Sequence, residues 1–476
     1  MKTQTTLLEA DYLVVGSGAV GMAFADVILT ESDASIIMVD RHHKPGGHWN
    51  HAYPFVRLHQ PSEYYGVSSA ELSKGRRDKT GLNMGMSNLA SGAEVSAYFD
   101  DVMQHQFLST GRVGYFPRCE YKGDGKFVSL VTGDVFEVKV KKKIVDAGYL
   151  ETKVPATHTP SFKVAPEAQF IPINALPLLT GQPEGYVIIG GGKTGIDACL
   201  WLLQHHVHPD AIQWIVPRDP WLLDRKNLQP GGEFMEQFLS DRAAQLEALV
   251  HAESIADLFD RLEASGSLQR VDNTVRPTMY RCATVSTMEL EQLRRIKHIV
   301  RMGRVQSIEK DQIILDQGIL TTSPTYVHVD CSAGGLTDSK IKKVFTDHHI
   351  TPQTIRTCQP AFSAAFIAHV EVAYDDENLK NEICTVVPLP YRDIDWIRMM
   401  AVLMKNNYVW SQDSNLMRWL HSNRLEGGFL RAMTGQPDAS KEIQDLLSSI
   451  RNNGKPAMAK VQQFMLALQV NTGSGS

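Results

Sequence analysis

Residues 11–40 read DYLVVGSGAVGMAFADVILTESDASIIMVD, and this stretch decides the fold. Tyr12-Leu13-Val14-Val15 is a short apolar run with β-branched residues, the composition of a buried parallel strand. Gly16-Ser17-Gly18-Ala19-Val20-Gly21 follows at once and opens an apolar helix to about Leu29. Ser35 to Val39 reads as a second strand ending in Asp40. A strand, a G-x-G-x-x-G turn, a helix, a strand and an acid within about 30 residues make a dinucleotide cradle. Gly16 permits the tight turn, Gly18 lets backbone approach a pyrophosphate, and Gly21 lets the helix pack on its strand. Ser17, Ala19 and the exposed N–H groups around them face the phosphates, which the helix dipole favours. Asp40 is placed to accept hydrogen bonds from a ribose diol, with Arg41 beside it.

The same grammar returns later. Tyr186 to Ile189 is a strand, Gly190-Gly191-Gly192-Lys193-Thr194-Gly195 is the turn, and Ile196 to Gln204 is the helix. The next strand, Ile212 to Val216, ends in Pro217-Arg218 rather than in an acid. An acid there would repel a 2′-phosphate, whereas an arginine can pair with it bidentately. The second cradle is therefore expected to take NADP and the first a ribose without that phosphate. An ordinary solvated loop arginine is the bland alternative for Arg218.

Both halves continue alike. Lys126 to Thr132, a Gly133-Asp134 turn and Val135 to Val140 read as a hairpin, followed by a closing strand Ile144-Val145. Val305 to Glu309 and Gln312 to Leu315 repeat the meander, and Tyr326 to Val329 is the closing strand, running into Asp330 to Gly335. A duplication of this size predicts an α/β chain with two doubly wound, Rossmann-like domains.

Composition agrees. The 476 residues are 43% hydrophobic and 21% charged, which supports a sizeable core. With 48 basic and 53 acidic residues, the net charge of −5 gives no long-range pull toward nucleic acid or anionic lipid. The run from Leu13 to Leu29 is interrupted by Gly16, Ser17, Gly18 and Asp26, so neither a spanning helix nor a secretory signal is expected. These features suit a soluble, cytoplasmic chain, whose six cysteines, none in C-x-x-C, are expected as thiols. No metal is expected. The histidines at 42, 43, 48, 51 and 59 lack ligand spacing, and His205-His206-x-His208 suits a helix C-terminus.

With these motifs in place the chain resembles the class B flavin monooxygenases, two-dinucleotide-domain flavoproteins. Pro45-Gly46-Gly47-His48-Trp49 matches that family's G-G-x-W turn, Asn50 to Tyr64 resembles the stretch after it, and Thr194-Gly195-Ile196-Asp197 resembles its S/T-G-x-D helix opening. The resemblance implies FAD on the first cradle with Gly47, His48 and Trp49 along its diphosphate, and NADPH on the second. It implies an FAD-binding segment over 1–160, an inserted NADP-binding domain over 161–335, and a return segment over 336–390. A helical region over 391–472 follows, and residues 473–476 read as an appended flexible tail. Trp396, Met399, Met400, Met404, Trp410 and Trp419 in that region are core, pocket or subunit-contact residues, the last implying a homo-oligomer.

Three departures matter. The linker Val154 to Asn174 lacks the family's F-x-G-x-x-x-H signature, and His59 stands where Baeyer–Villiger members carry an acid. Arg276-Pro277 is a loose counterpart of their active arginine. His59 could exchange a proton with the flavin near neutral pH, or hold a ribose or structural hydrogen bond. The resemblance implies an FAD- and NADPH-dependent monooxygenase acting on a small organic substrate and O2 through a C4a-(hydro)peroxyflavin. The alternatives are a reductase or dehydrogenase without oxygen insertion, and a non-catalytic redox-sensing module.

Overall fold

The structure is a computed structural model that describes residues 5–150, 152–334, 340–434 and 439–473. The chain begins with β1 (Thr5–Val15), α1 (Ala19–Glu31) and β2 (Ile36–Asp40). β2 is buried along its whole length, as expected of a parallel strand covered on both faces. Helix α1 is buried from Gly21 through Leu29 without a polar stripe, so it has neighbours on every side. β3 (Val113–Pro117), β4 (Cys119–Gly123), β5 (Lys126–Ser129) and β6 (Val135–Asp146) complete most of the first sheet, in order β3-β2-β1-β6-β5-β4. The hairpin arm and the closing strand expected separately are one strand, because β6 pairs with β5 at its start and with β1 along nearly its whole length.

The second body contains β7 (Gln169–Pro172), β8 (Gly185–Ile189), α2 (Lys193–Gln204), β9 (Ile212–Ile215), β10 (His298–Val300) and β11 (Tyr326–Asp330). Its sheet is parallel throughout, in order β10-β9-β8-β11-β7. The chain then rejoins the first sheet. β12 (His349–Ile350) pairs with Ile144 and Val145 of β6, and α3 (Pro360–Ala373) packs against α1. Gly335, the last residue of the second closing motif, lies outside the described residues, as do residues 474–476 of the expected tail. Gly473 belongs to the final helix.

Between β9 and β10 the chain makes an excursion, as it does between β2 and β3, but here the excursion carries a sheet of its own. A three-stranded sheet places Pro220–Asp224 between Leu268–Gln269 and Met279–Val285. The helices Met235–His251 and Ile255–Ala264 extend from it. Helices Asp395–Ser411 and Lys441–Gly473 of the C-terminal region pack on this excursion. Trp396, Met399 and Met400 are buried there, while Trp410 is buried against α3.

The expectation of six thiols is corrected. Cys282 and Cys358, 76 residues apart, form a disulfide, and Cys119, Cys199, Cys331 and Cys384 are buried thiols. The excursion sheet is thereby tied to the segment entering α3, a pairing that sequence spacing could not reveal. Closing so long a loop restricts the unfolded chain and is worth up to about 4 kcal/mol. C358S is therefore expected to lower the urea midpoint substantially, as should reductant added to the unaltered protein. Equal midpoints in the two proteins would show that the bridge carries no stability.

Candidate functional site

The first cradle forms where β1 turns into α1. Gly16 adopts φ +103°, and its amide donates to the Val39 carbonyl at 2.8 Å, joining the turn to β2. A Cβ on Gly21 would lie 2.0 Å from the Gly16 carbonyl oxygen, so only glycine lets α1 approach this closely. Gly18 lies against Gly47, where a Cβ on Gly47 would come within 3.0 Å of the Gly18 Cα. The Gly46 amide donates to the Ser17 carbonyl at 2.9 Å. The G-G-x-W turn is thus folded onto the first cradle, as the resemblance implied. No side chain caps the α1 N-terminus and no acid stands in its first turn, so its N–H groups remain available to an anion.

Asp40 ends β2 and is buried. Its Oδ2 accepts from the Ser17 amide at 2.6 Å and the Ser17 hydroxyl at 2.7 Å, and its Oδ1 from the His42 amide and ring Nδ1, both at 2.8 Å. Burial pushes its acidity the other way, but the four donors together hold the carboxyl below its ordinary range. Those donors occupy about all the lone pairs a carboxylate has. Arg41 lies exposed at the carboxyl end of β2, and Ala19 begins α1. Burial lowers His48 to about 4, keeping it neutral beside Trp49, whose Nε1 donates to the Tyr65 hydroxyl at 2.6 Å.

The second cradle repeats the backbone contacts of the first glycine turn. The Gly190 amide donates to the Ile215 carbonyl at 3.0 Å, and a Cβ on Gly195 would lie 2.0 Å from the Gly190 oxygen. The α2 N-terminus at Gly192 also has no side-chain cap and no acid in its first turn. Gly192 itself faces open space. Arg218 lies just beyond β9, its guanidinium 4.1 Å from the centre of the Tyr391 ring, a stacking that orients the fork.

Residues 49–64 join the two cradles. Tyr53, from the stretch after the first cradle, donates its hydroxyl to Asp197 of α2 at 2.6 Å, and Lys193 pairs with the same carboxylate. Burial, then the Asp197 charge, raises the Tyr53 phenol well above its ordinary value, so it stays protonated as donor. Phe55 stacks on Trp201 of α2 at 5.2 Å. A 510 Å³ cavity opens here, lined by Arg57, Asp78, Lys193, Asp197, Arg225 and Glu289 among others. Buried Arg225 pairs with Glu289 at 2.8 Å and donates to the His59 carbonyl at 3.0 Å. The Thr284 amide donates to His59 Nδ1 at 3.4 Å. Burial, then the charges of Lys193 and Arg225, lowers His59 to about 3.

The sequence-derived candidates thus separate into those at the junction and one elsewhere. His59 reaches the junction, where burial and the cations of Lys193 and Arg225 favour its neutral form. Its Nδ1 faces the Thr284 amide. Arg276 does not reach the junction. It pairs with Asp260 at 2.7 Å and donates to the Ala256 carbonyl on an exposed helix face. The Tyr53–Asp197 contact and Arg225 were missed by sequence reasoning. Tyr53 and Asp197 stand in recognised motifs, but spacing cannot say that motifs 144 residues apart meet.

No family model matches the chain. Uncharacterized protein Rv2000 of Mycobacterium tuberculosis (strain H37Rv) is 53% identical to it over 456 residues, covering 95% of this chain and 84% of the relative. Uncharacterized protein Mb2023 of Mycobacterium bovis matches with the same identity and coverage. The chain belongs to their family. Among solved structures, an oxidized steroid monooxygenase bound to NADP matches with a TM-score of 0.50 at 12% identity, covering 76% of this chain and 85% of its own. The chain therefore shares its fold with that steroid monooxygenase.

In this family member two glycines separate packing from binding. G21A places a methyl group inside van der Waals contact with backbone and is expected to unfold the protein or cost more than about 3 kcal/mol. G192A points into open space and should melt like the unaltered chain. Equal stability of G21A and G192A in thermal melts would contradict the close-contact reading.

Proposed function

We propose that the chain is an FAD-dependent, NADPH-using oxidoreductase, a monooxygenase acting on a small organic substrate. One observation carries this reading: two uncapped, acid-free helix N-termini on glycine turns, coupled through residues 49–64. The residues present fit both cofactors. Gly16 and Gly21 shape the turn, Gly18 and Gly47 would leave no side chain beside the α1 N-terminus where the FAD diphosphate would lie, and Gly190, Gly192, Lys193, Thr194 and Gly195 would receive that of NADPH. Arg218, held on Tyr391, would pair with the 2′-phosphate.

Bound FAD supplies hydride acceptance and, once reduced, reaction with O2. The chain's residues supply position and proton placement. Tyr53 and Lys193 converge on Asp197 and hold the α2 turn against the stretch following the first cradle. His59, with Nδ1 committed to the Thr284 amide, offers an Nε2–H donor that stays uncharged across the physiological range. Arg225 fixes the His59 backbone. A non-ionising donor at this place orients an oxygen or nitrogen atom without adding charge.

A second reading, a reductase without oxygen insertion, is favoured by the linker that lacks the F-x-G-x-x-x-H signature. Rapid mixing of the NADPH-reduced, FAD-loaded protein with O2 separates the two. The monooxygenase reading expects a transient absorbance distinct from oxidised and reduced flavin, and oxygenated product with a competent substrate. Direct return to oxidised flavin with no product from any substrate tried supports the reductase. In the same series R218A is expected to lose the preference for NADPH over NADH.

A further inference from the structure

A second cavity, of 370 Å³, lies apart from the Arg225 junction, between the excursion and the C-terminal helices. Its walls are largely carbon: Phe238, Leu268, Tyr280, Met399, Met400 and Leu403. Volumes of this size hold small-molecule ligands, and methionine walls adapt to flexible apolar chains. Gln60 and Tyr64, from the stretch that follows the first cradle, also line it, as does the Cys282–Cys358 pair.

Four ionisable side chains face this space, and three have partners. Arg356 pairs with Glu426 at 3.1 Å and lies over the rings of Phe362 and Phe429. Asp241 accepts from Asn227 at 3.1 Å and from Gln245 at 2.7 Å. Burial pushes the Asp241 carboxyl up to about 6, so it is still largely ionised at neutral pH, with its oxygens engaged by the Asn227 and Gln245 amides. Arg242 is different. It lines the cavity and, among the described residues, its guanidinium has no hydrogen-bond or ion-pair partner. Consecutive helix positions point about 100° apart, so Asp241 and Arg242 do not face each other for a bidentate pair. Burial, then the Arg356 charge, pulls the Arg242 pKa below its ordinary value against the opposing charge of Asp241, the sign of a cation held without full solvation. Arg242 is half-buried and makes no hydrogen bond or close ion pair among the described residues, and a ligand carboxylate is the geometric complement of its fork.

We propose that this cavity binds an amphipathic carboxylate, its acid group on Arg242 and its apolar chain along Met399, Met400 and Leu403. Binding rests on the cavity alone. That such an acid is the molecule oxidised rests additionally on the proposed oxidoreductase function, through Gln60 and Tyr64. Methyl esters and alcohols of the same chain offer no negative charge to Arg242 and fit only the walls.

Calorimetric titration of the FAD-supplemented full chain with dodecanoate and with methyl dodecanoate tests this. Dodecanoate is expected to bind at least about tenfold more tightly, the size of a charge-assisted hydrogen-bond pair. R242Q should remove that preference by weakening the acid alone, R242K should retain part of it, and M400W should weaken both ligands by filling the chain site. Equal affinity for acid and ester in the unaltered protein, or binding of neither, overturns the proposal whether or not R242Q folds. Acid-selective binding without NADPH-dependent turnover would keep the site and defeat the oxidoreductase reading. Turnover without acid selectivity would do the reverse.

Discussion

The architecture depends on a backbone-to-backbone contact made twice. Where each first strand turns into its helix, the last glycine of the G-x-G-x-x-G sequence lies against the carbonyl of the first, at a separation no Cβ could share. Glycine inside a helix costs roughly 1 kcal/mol of local propensity. The close approach offsets that cost by letting α1 and α2 bury apolar faces directly on their sheets. It also aims two helix N-termini, free of side-chain caps, past the carboxyl ends of parallel strands. In open α/β sheets that is where ligands bind. Packing and binding thus share one geometric cause.

Duplication alone would give two independent sites. The stretch after Asp40 makes them one. Its Gly47 folds back on the first cradle, Tyr53 and Phe55 meet α2, and His59 reaches strand Met279–Val285. The chain has to cross from one half to the other over a short distance, and charged and aromatic contacts fix the crossing. The excursion of residues 220–285 and the C-terminal helices then close around the far side, where the methionine-walled cavity lies.

Much of this was legible in the sequence because it is encoded locally. The strand–turn–helix units, the parallel sheets and the return helix at Pro360 follow from runs of apolar residues punctuated by glycine. Long-range facts were not legible. The pairing of Cys282 with Cys358 depends on how an irregular excursion docks. The saturation of Asp40 by Ser17 and His42 depends on side-chain rotamers, and the lowered basicity of His59 on burial and on Lys193 and Arg225, more than 130 positions away. Arg242 carries no motif at all. Its place on a largely apolar cavity wall, with no hydrogen bond to its guanidinium among the described residues, depends on how the excursion packs.

The central claim is that one polypeptide holds a flavin and its reductant on these two turns. The most direct measurement is the visible spectrum of gently purified or FAD-supplemented protein, followed through anaerobic addition of NADPH. One flavin per chain, bleached by NADPH in the absence of oxygen, is the result this account predicts. A protein that remains colourless after FAD is supplied, or whose bound flavin NADPH leaves oxidised, would contradict it.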